Sequence, residues 1–175
     1  LHQVVRRQRQ MCIRDRRDPD HALSLIEAVV NAVNVPVTLK TRLGWDHNCL
    51  NAASVVERAE EIGIKLVTIH GRTRCQFYKG AADWTAIEKI KQVVSIPLIA
   101  NGDIVDAKTA AKALKLSEAD GVMIGRGAQG RPWILAEIAA KLHGKASPHI
   151  PKGGDLVAMV CTHYEAMLDF YGVAL

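Results

Sequence analysis

Apolar residues along this chain fall into two alternating periods. Ala22, Leu25, Ile26, Val29, Val30 and Val33 repeat at i, i+3, i+4 and predict a helix with one buried face. Asp18-Pro19 supplies a capping acid and a proline at the first helical position, Asn34 ends the helix, and Pro36 blocks its continuation. "VPVTLKTR" follows as a short strand rich in β-branched residues. Residues 51–62 then read as a helix closed by Gly63, and "KLVTIHGRT" as a second strand. Asp83 caps a helix over "WTAIEKIKQVV", "IPLIANGD" is a third strand, and Asp106 opens a helix through about Lys115. "ADGVMIGRG" gives a fourth strand, and Pro132 starts a helix to about Leu142. Strands and helices alternating with short loops imply parallel strands joined by right-handed crossovers. The strand ends Lys40, His70, Asn101 and Gly125 lie 30, 31 and 24 residues apart, a spacing that fits βα units.

Beyond residue 143 the pattern changes. Residues 144–154, "GKASPHIPKGG", read as a linker. "DLVAMVCTHYEAMLDFYG" is an amphipathic helix with Val157, Val160, Cys161, Tyr164, Met167 and Leu168 on one face. It is expected to begin a second, helical domain over residues 155–175, after an α/β unit over residues 18–143.

Composition adds three constraints. Apolar residues make up 49%, enough for a real core, yet no apolar run approaches the roughly 18 residues of a membrane span. Four cysteines (Cys12, Cys49, Cys75 and Cys161) are far apart, with no C-x-x-C pair, which argues against a zinc site or a disulfide framework and favours a reducing cytoplasm. The formal net charge of +5 is local. Arg6, Arg7, Arg9, Arg14, Arg16 and Arg17 against Asp15 carry all of it, so residues 18–175 balance to zero. The body is therefore no basic nucleic-acid module by bulk charge. Residues 1–17 read as a basic leader, either disordered, a nucleic-acid arm, or foreign to the gene.

The candidate chemistry lies where each strand stops. The first leaves its apolar run through Lys40-Thr41-Arg42, the second through His70-Gly71-Arg72-Thr73, the third through Asn101-Gly102-Asp103 and the fourth through Gly125-Arg126-Gly127. In a parallel α/β sheet or barrel these groups open on one face, the face that carries ligands. One polar end is only a turn; four in register point to a site. Glycines let backbone N–H groups approach an anion, and Arg126 offers a permanently charged planar fork for phosphate. Lys40 suits developing negative charge. His70 taken alone would more readily be structural, and its place in the rim raises the ligand reading.

"PVTLKTRLGW", "TIHGRTRCQFYKG", "IPLIANGDI" and "GVMIGRGAQGRPWI", in that order, resemble the bacterial tRNA-dihydrouridine synthases of the B type, over about residues 18–172. The resemblance implies a TIM-type β/α barrel fragment, about four C-terminal βα units, followed by the start of a helical tRNA-binding domain. It implies FMN as cofactor, NADPH as reductant, and reduction of uridine to dihydrouridine in tRNA, with a cysteine protonating C5. Carried across, Lys40 would contact the flavin ring and His70 the flavin or its ribityl chain. Asn101, Gly102 and Asp103 would hold the ribityl-phosphate region, and Gly125 and Arg126 the phosphate. Arg72 and Arg74 are weaker candidates for tRNA or rim contacts.

The family's cysteine sits in an N-x-G-C-P motif at the fourth barrel strand. None of the four cysteines here stands in that context, so no catalytic residue is assigned. The expectation is a truncated chain, inactive alone, whose exposed strand edges and uncovered inner face favour self-association. Two alternatives stay open: a non-catalytic FMN- or phosphate-binding half barrel, and another flavin oxidoreductase acting on small molecules.

Overall fold

A computed structural model describes residues 18–172; the basic leader read over residues 1–17, with Cys12, lies outside them. The elements run α1 (Pro19–Ala32), β1 (Thr38–Arg42), α2 (Ala52–Ile62), β2 (Leu66–His70), α3 (Thr85–Lys91), β3 (Leu98–Asn101), α4 (Ala107–Ser117), β4 (Gly121–Met123), α5 (Ile134–Leu142) and α6 (Gly153–Tyr171), with a 3-10 turn at Arg126–Ala128. The four strands form one sheet in the order β1-β2-β3-β4, all parallel.

The register sorts the strand residues onto two faces. Lys40 pairs with Thr68, Arg42 with His70, His70 with Asn101, and Asn101 with Met123, so these side chains share a face. The opposite face carries Leu39, Thr41, Val67, Ile69, Leu98, Ala100 and Val122. Against it gather Leu23 and Ile26 of α1, Val56 and Ala59 of α2, and Ile87 and Ile90 of α3. Ile104, Ala110, Ala113, Ile134 and Ile138 close a second cluster at the β4 end, with Val122 partly buried on it. The apolar side chains that α1–α5 bury thus lie on one side of the sheet. The face bearing Lys40, His70 and Asn101 has no helix packed on it among the described residues.

Local chemistry explains where elements stop. Asp18 caps α1 by accepting from the His21 amide, and Asp106 and Thr109 form a reciprocal capping box on α4. Gly63 ends α2 in a left-handed conformation. The third helix is shorter than its apolar pattern suggests and ends at Lys91. Pro97 disfavours helical backbone at the residue before it, and the Glu60 carboxylate takes the Ser95 amide and hydroxyl, fixing a loop just past where the pattern reads helix. Asp83 does cap this helix, through the Ala86 amide, although regular geometry begins only at Thr85.

The last helices also depart from expectation at their starts. Pro132 and Trp133 form a turn, closed by Ile134 N–H to Arg131 O, before α5 begins. The final helix starts at Gly153, inside the predicted linker, and buries none of its side chains. Its apolar stripe, with Val157, Val160 and Tyr164 each more than half exposed, is real as a stripe but is uncovered by any described residue.

Candidate functional site

The carboxyl ends of the four strands surround a cavity of about 560 Å³. Lys40, His70, Asn101, Gly102, Asp103, Gly125 and Arg126 all line it, so every residue expected to hold a cofactor opens on one mouth. That convergence follows from the parallel register, which brings strand ends 24 to 31 residues apart in sequence side by side.

Each rim segment is held by its neighbour. Asn101 donates from Nδ2 to Met123 O at 2.8 Å, tying β3 to β4. Gly102 sits at φ +114°, and an added Cβ would lie 2.8 Å from both His70 Cδ2 and Ala82 Cβ, so only glycine fits without displacement. Its carbonyl accepts from Trp84 Nε1 at 3.0 Å. Asp103 follows at φ 54°, which turns its carboxylate back over the second strand's loop. There Oδ2 accepts from Arg72 at 2.6 Å and from the Ala82 amide at 2.7 Å. Arg126 stands 4.0 Å from Oδ1 and lies over the Tyr78 ring, 4.5 Å from its centroid. Beside Gly125 an added Cβ would meet nothing within 4 Å, leaving room against the backbone.

The two weaker candidates fall elsewhere. Arg72 is not a rim residue. It is buried at 2% exposure, and its guanidinium donates to Lys79 O, Gly80 O and Asp103, with Nη1 3.3 Å from His70 Nε2. A side chain this buried, with its donors turned inward to fix a loop, is not placed to reach an RNA outside. Arg74 lies over the Phe77 ring at 5.5 Å and does not line the cavity.

Among the lining residues not assigned a role from sequence, Arg42, Tyr78 and Arg131 bear most on the chemistry. Arg42 donates to Thr73 O and Phe77 O and lines the cavity beside Lys40. Its signal was present, since residues two apart on a strand share a face. Tyr78 reaches the mouth from a loop with no periodicity to announce it. Arg131 is placed by donation to Val105 O and Gly127 O.

The electrostatics favour an anion. Lys40, Arg42, Arg126 and Arg131 face the cavity against the single carboxylate of Asp103. The Asp103 carboxyl is held below its usual range: burial pushes it up, but the Ala82 amide and Arg72 outweigh that. The His70 imidazole is pushed down to about 4, first by burial and then by the charges of Arg42, Lys40 and Arg72, with Asp103 pulling the other way. It is therefore neutral at pH 7. Cys49, Cys75 and Cys161 are free thiols, none of which lines the cavity. Among the described residues no cluster of three or more His, Cys, Asp or Glu could hold a metal ion, and no helix is long and apolar enough to cross a membrane.

Comparison with known proteins adds a family. The dihydrouridine synthase (Dus) model matches residues 16–175. A probable tRNA-dihydrouridine synthase of Rhodobacter capsulatus is 62% identical over 156 residues, covering 89% of this chain and 48% of that protein. The tRNA-dihydrouridine synthase B of Vibrio cholerae is 48% identical over 157 residues, with 89% and 48% covered. The chain thus spans about half the length of the curated relatives it matches. Among solved structures, mandelate oxidase with (S)-2-phenylpropionate is 19% identical at a TM-score of 0.45, covering 70% of this chain and 49% of that one.

Proposed function

This chain belongs to the dihydrouridine synthase family, and from that footing we propose that it serves the FMN-dependent reduction of uridine to dihydrouridine in tRNA, with NADPH as reductant, in the cytoplasm. The observation that carries the reading is the gathering of Lys40, His70, Asn101 and Arg126 around one cationic cavity at the strand ends.

The residues present fit an anionic flavin nucleotide. The cavity volume lies in the range of small-ligand sites, roughly 300–1,000 Å³. The open space beside Gly125 lets backbone amides approach a phosphate, and Arg126 and Arg131 supply charge there. Lys40 projects from the middle of β1 and would stabilise negative charge on the ring system. Asn101, Gly102 and Asp103 would hold the ribityl-phosphate region. When bound, FMN supplies the hydride chemistry, drawing on NADPH and acting at the uracil 5,6 double bond. No cysteine of this chain is assigned as the proton donor. Residues 143–152 would link this unit to a helical tRNA-binding domain that opens with α6.

Two measurements test the reading. The chain is expected to bind FMN with quenching of flavin fluorescence, and Arg126→Ala to weaken that binding about tenfold or more, the worth of one charge-assisted phosphate contact. Residues 18–172 exchanged into the Rhodobacter capsulatus relative should sustain NADPH-dependent dihydrouridine formation in unmodified tRNA, and Lys40→Ala should impair it. A chimera that folds and binds FMN but leaves uridine unreduced would overturn the assignment.

A further inference from the structure

We propose that Arg72 is a positioning residue that fixes His70 in its Nδ1–H tautomer, so that the imidazole presents a hydrogen-bond donor to the cavity. The identity of the acceptor rests on the flavin reading above; the tautomer does not.

The argument starts from what a guanidinium can do. It has five N–H donors, no acceptor, and no accessible neutral form. Arg72 has a side chain only 3% exposed. Nε donates to Lys79 O at 3.3 Å, and one terminal nitrogen to both Gly80 O and Asp103 Oδ2 at 2.6 Å. The other terminal nitrogen faces His70 Nε2 at 3.3 Å. Two donors cannot satisfy each other, so Nε2 must present its lone pair and the ring proton must sit on Nδ1. An imidazolium would oppose donor to donor and cation to cation in a buried setting.

The ring is held in this pose. Its Cδ2–Nε2 edge packs against Gly102, where an added Cβ would come within 2.8 Å of Cδ2 and 3.1 Å of Nε2. With Nε2 engaged by Arg72, Nδ1 is the ring nitrogen that remains for a ligand in the cavity that His70 lines. His70 is only 7% exposed, and its Nδ1 has no hydrogen-bond partner among the described residues. A buried N–H without a partner is costly, and a site lined this way is completed by an acceptor brought in by a ligand, such as a carbonyl oxygen or an unprotonated ring nitrogen. Arg72 thus acts through His70 and also seats the loop behind Tyr78, without touching the ligand itself.

The test reads protonation site by site in the ligand-free 175-residue chain. With histidine labelled with nitrogen-15 and His70 assigned by its loss in His70→Gln, long-range proton–nitrogen correlation at neutral pH should show a pyrrole-like Nδ1 and a pyridine-like Nε2. The reverse pattern, or an imidazolium, overturns the proposal. Arg72→Met, which removes the donor at similar length, should lose the tautomer preference, and Arg72→Lys, which restores a donor-only cation, should recover it. An Arg72→Met chain that folds and keeps a pure Nδ1–H signature overturns the positioning role. Should Arg72→Met not fold, the parent spectrum and Arg72→Lys still decide. With FMN as probe, His70→Phe is expected to raise Kd about tenfold, the equivalent of one hydrogen bond. Absence of FMN binding by the parent chain would count against the flavin reading, while a pure Nδ1–H signature would still support the role of Arg72.

Discussion

Gly102→Ala is expected to destabilise the fold by about 2–5 kcal/mol, which places this glycine among the residues that hold the site together. Two contributions add. At φ +114° an L-residue is strained, at a cost of roughly 1–2 kcal/mol. The new methyl would then stand 2.8 Å from His70 Cδ2 and Ala82 Cβ, against the ordinary 3.5–4.0 Å between carbon atoms. Neither neighbour can swing aside. Ala82 has no rotamer, its amide being held by Asp103, and His70 is buried against Arg72. Relief must come from backbone movement, for which overpacked cores lose about 1–3 kcal/mol. For a chain of this size the midpoint of thermal unfolding should fall by roughly 5–15 °C, measured by circular dichroism or calorimetry. Gly154→Ala is the control. It lies in the first turn of α6 with nothing within 4 Å of an added Cβ, and should be neutral or stabilise slightly. A Gly102→Ala chain that melts with the parent would refute the steric argument and free the His70 ring from its supposed wall.

Three further outcomes are expected. Because His70 titrates at about 4 in the fold and near 6.5 unfolded, its contribution is complete above pH 6.5 and drains away as pH falls toward 4, by on the order of 2–3 kcal/mol; His70→Gln should flatten that window in denaturant midpoints taken across pH. The Asp103 carboxyl, held below its ordinary 3.8, adds a second loss only at lower pH. Asn101→Ala, which strands Met123 O, should cost about 1–2 kcal/mol and speed hydrogen exchange in β4 before β2. The chain, with β1 and β4 at the two edges of the sheet and one sheet face uncovered by the described helices, should associate as its concentration rises; a monodisperse, cooperatively melting monomer in light scattering and calorimetry would contradict this.

How much the sequence disclosed depends on range. The βα order was readable because helical and strand periods alternate cleanly and because Asp18, Gly63 and Asp106 mark their boundaries by local chemistry. The common mouth was readable because parallel strands put like ends together. What resisted was anything decided by contacts across the fold. Arg72 looks like a rim cation beside Gly71 and Thr73, and only the turn of Asp103 at φ 54° shows that it points inward. Tyr78 enters the cavity because Arg42 anchors the Phe77 carbonyl, a contact 35 residues long. The shortened third helix is set by Glu60, which lies on another element altogether. Arg42 is the different case: its face was given by its place two residues after Lys40, and the signal was overlooked rather than absent.

The central claim is that four parallel strand ends form one receptor for a phosphorylated flavin. The most direct measurement is titration of the nitrogen-15-labelled chain with FMN and, separately, with riboflavin, which lacks the phosphate. FMN should give saturable amide shifts at residues 101–103 and 125–127 together with His70, and riboflavin should bind more weakly with the shifts at 125–127 lost. Equal binding of the two flavins, or shifts scattered away from the strand ends, would contradict it.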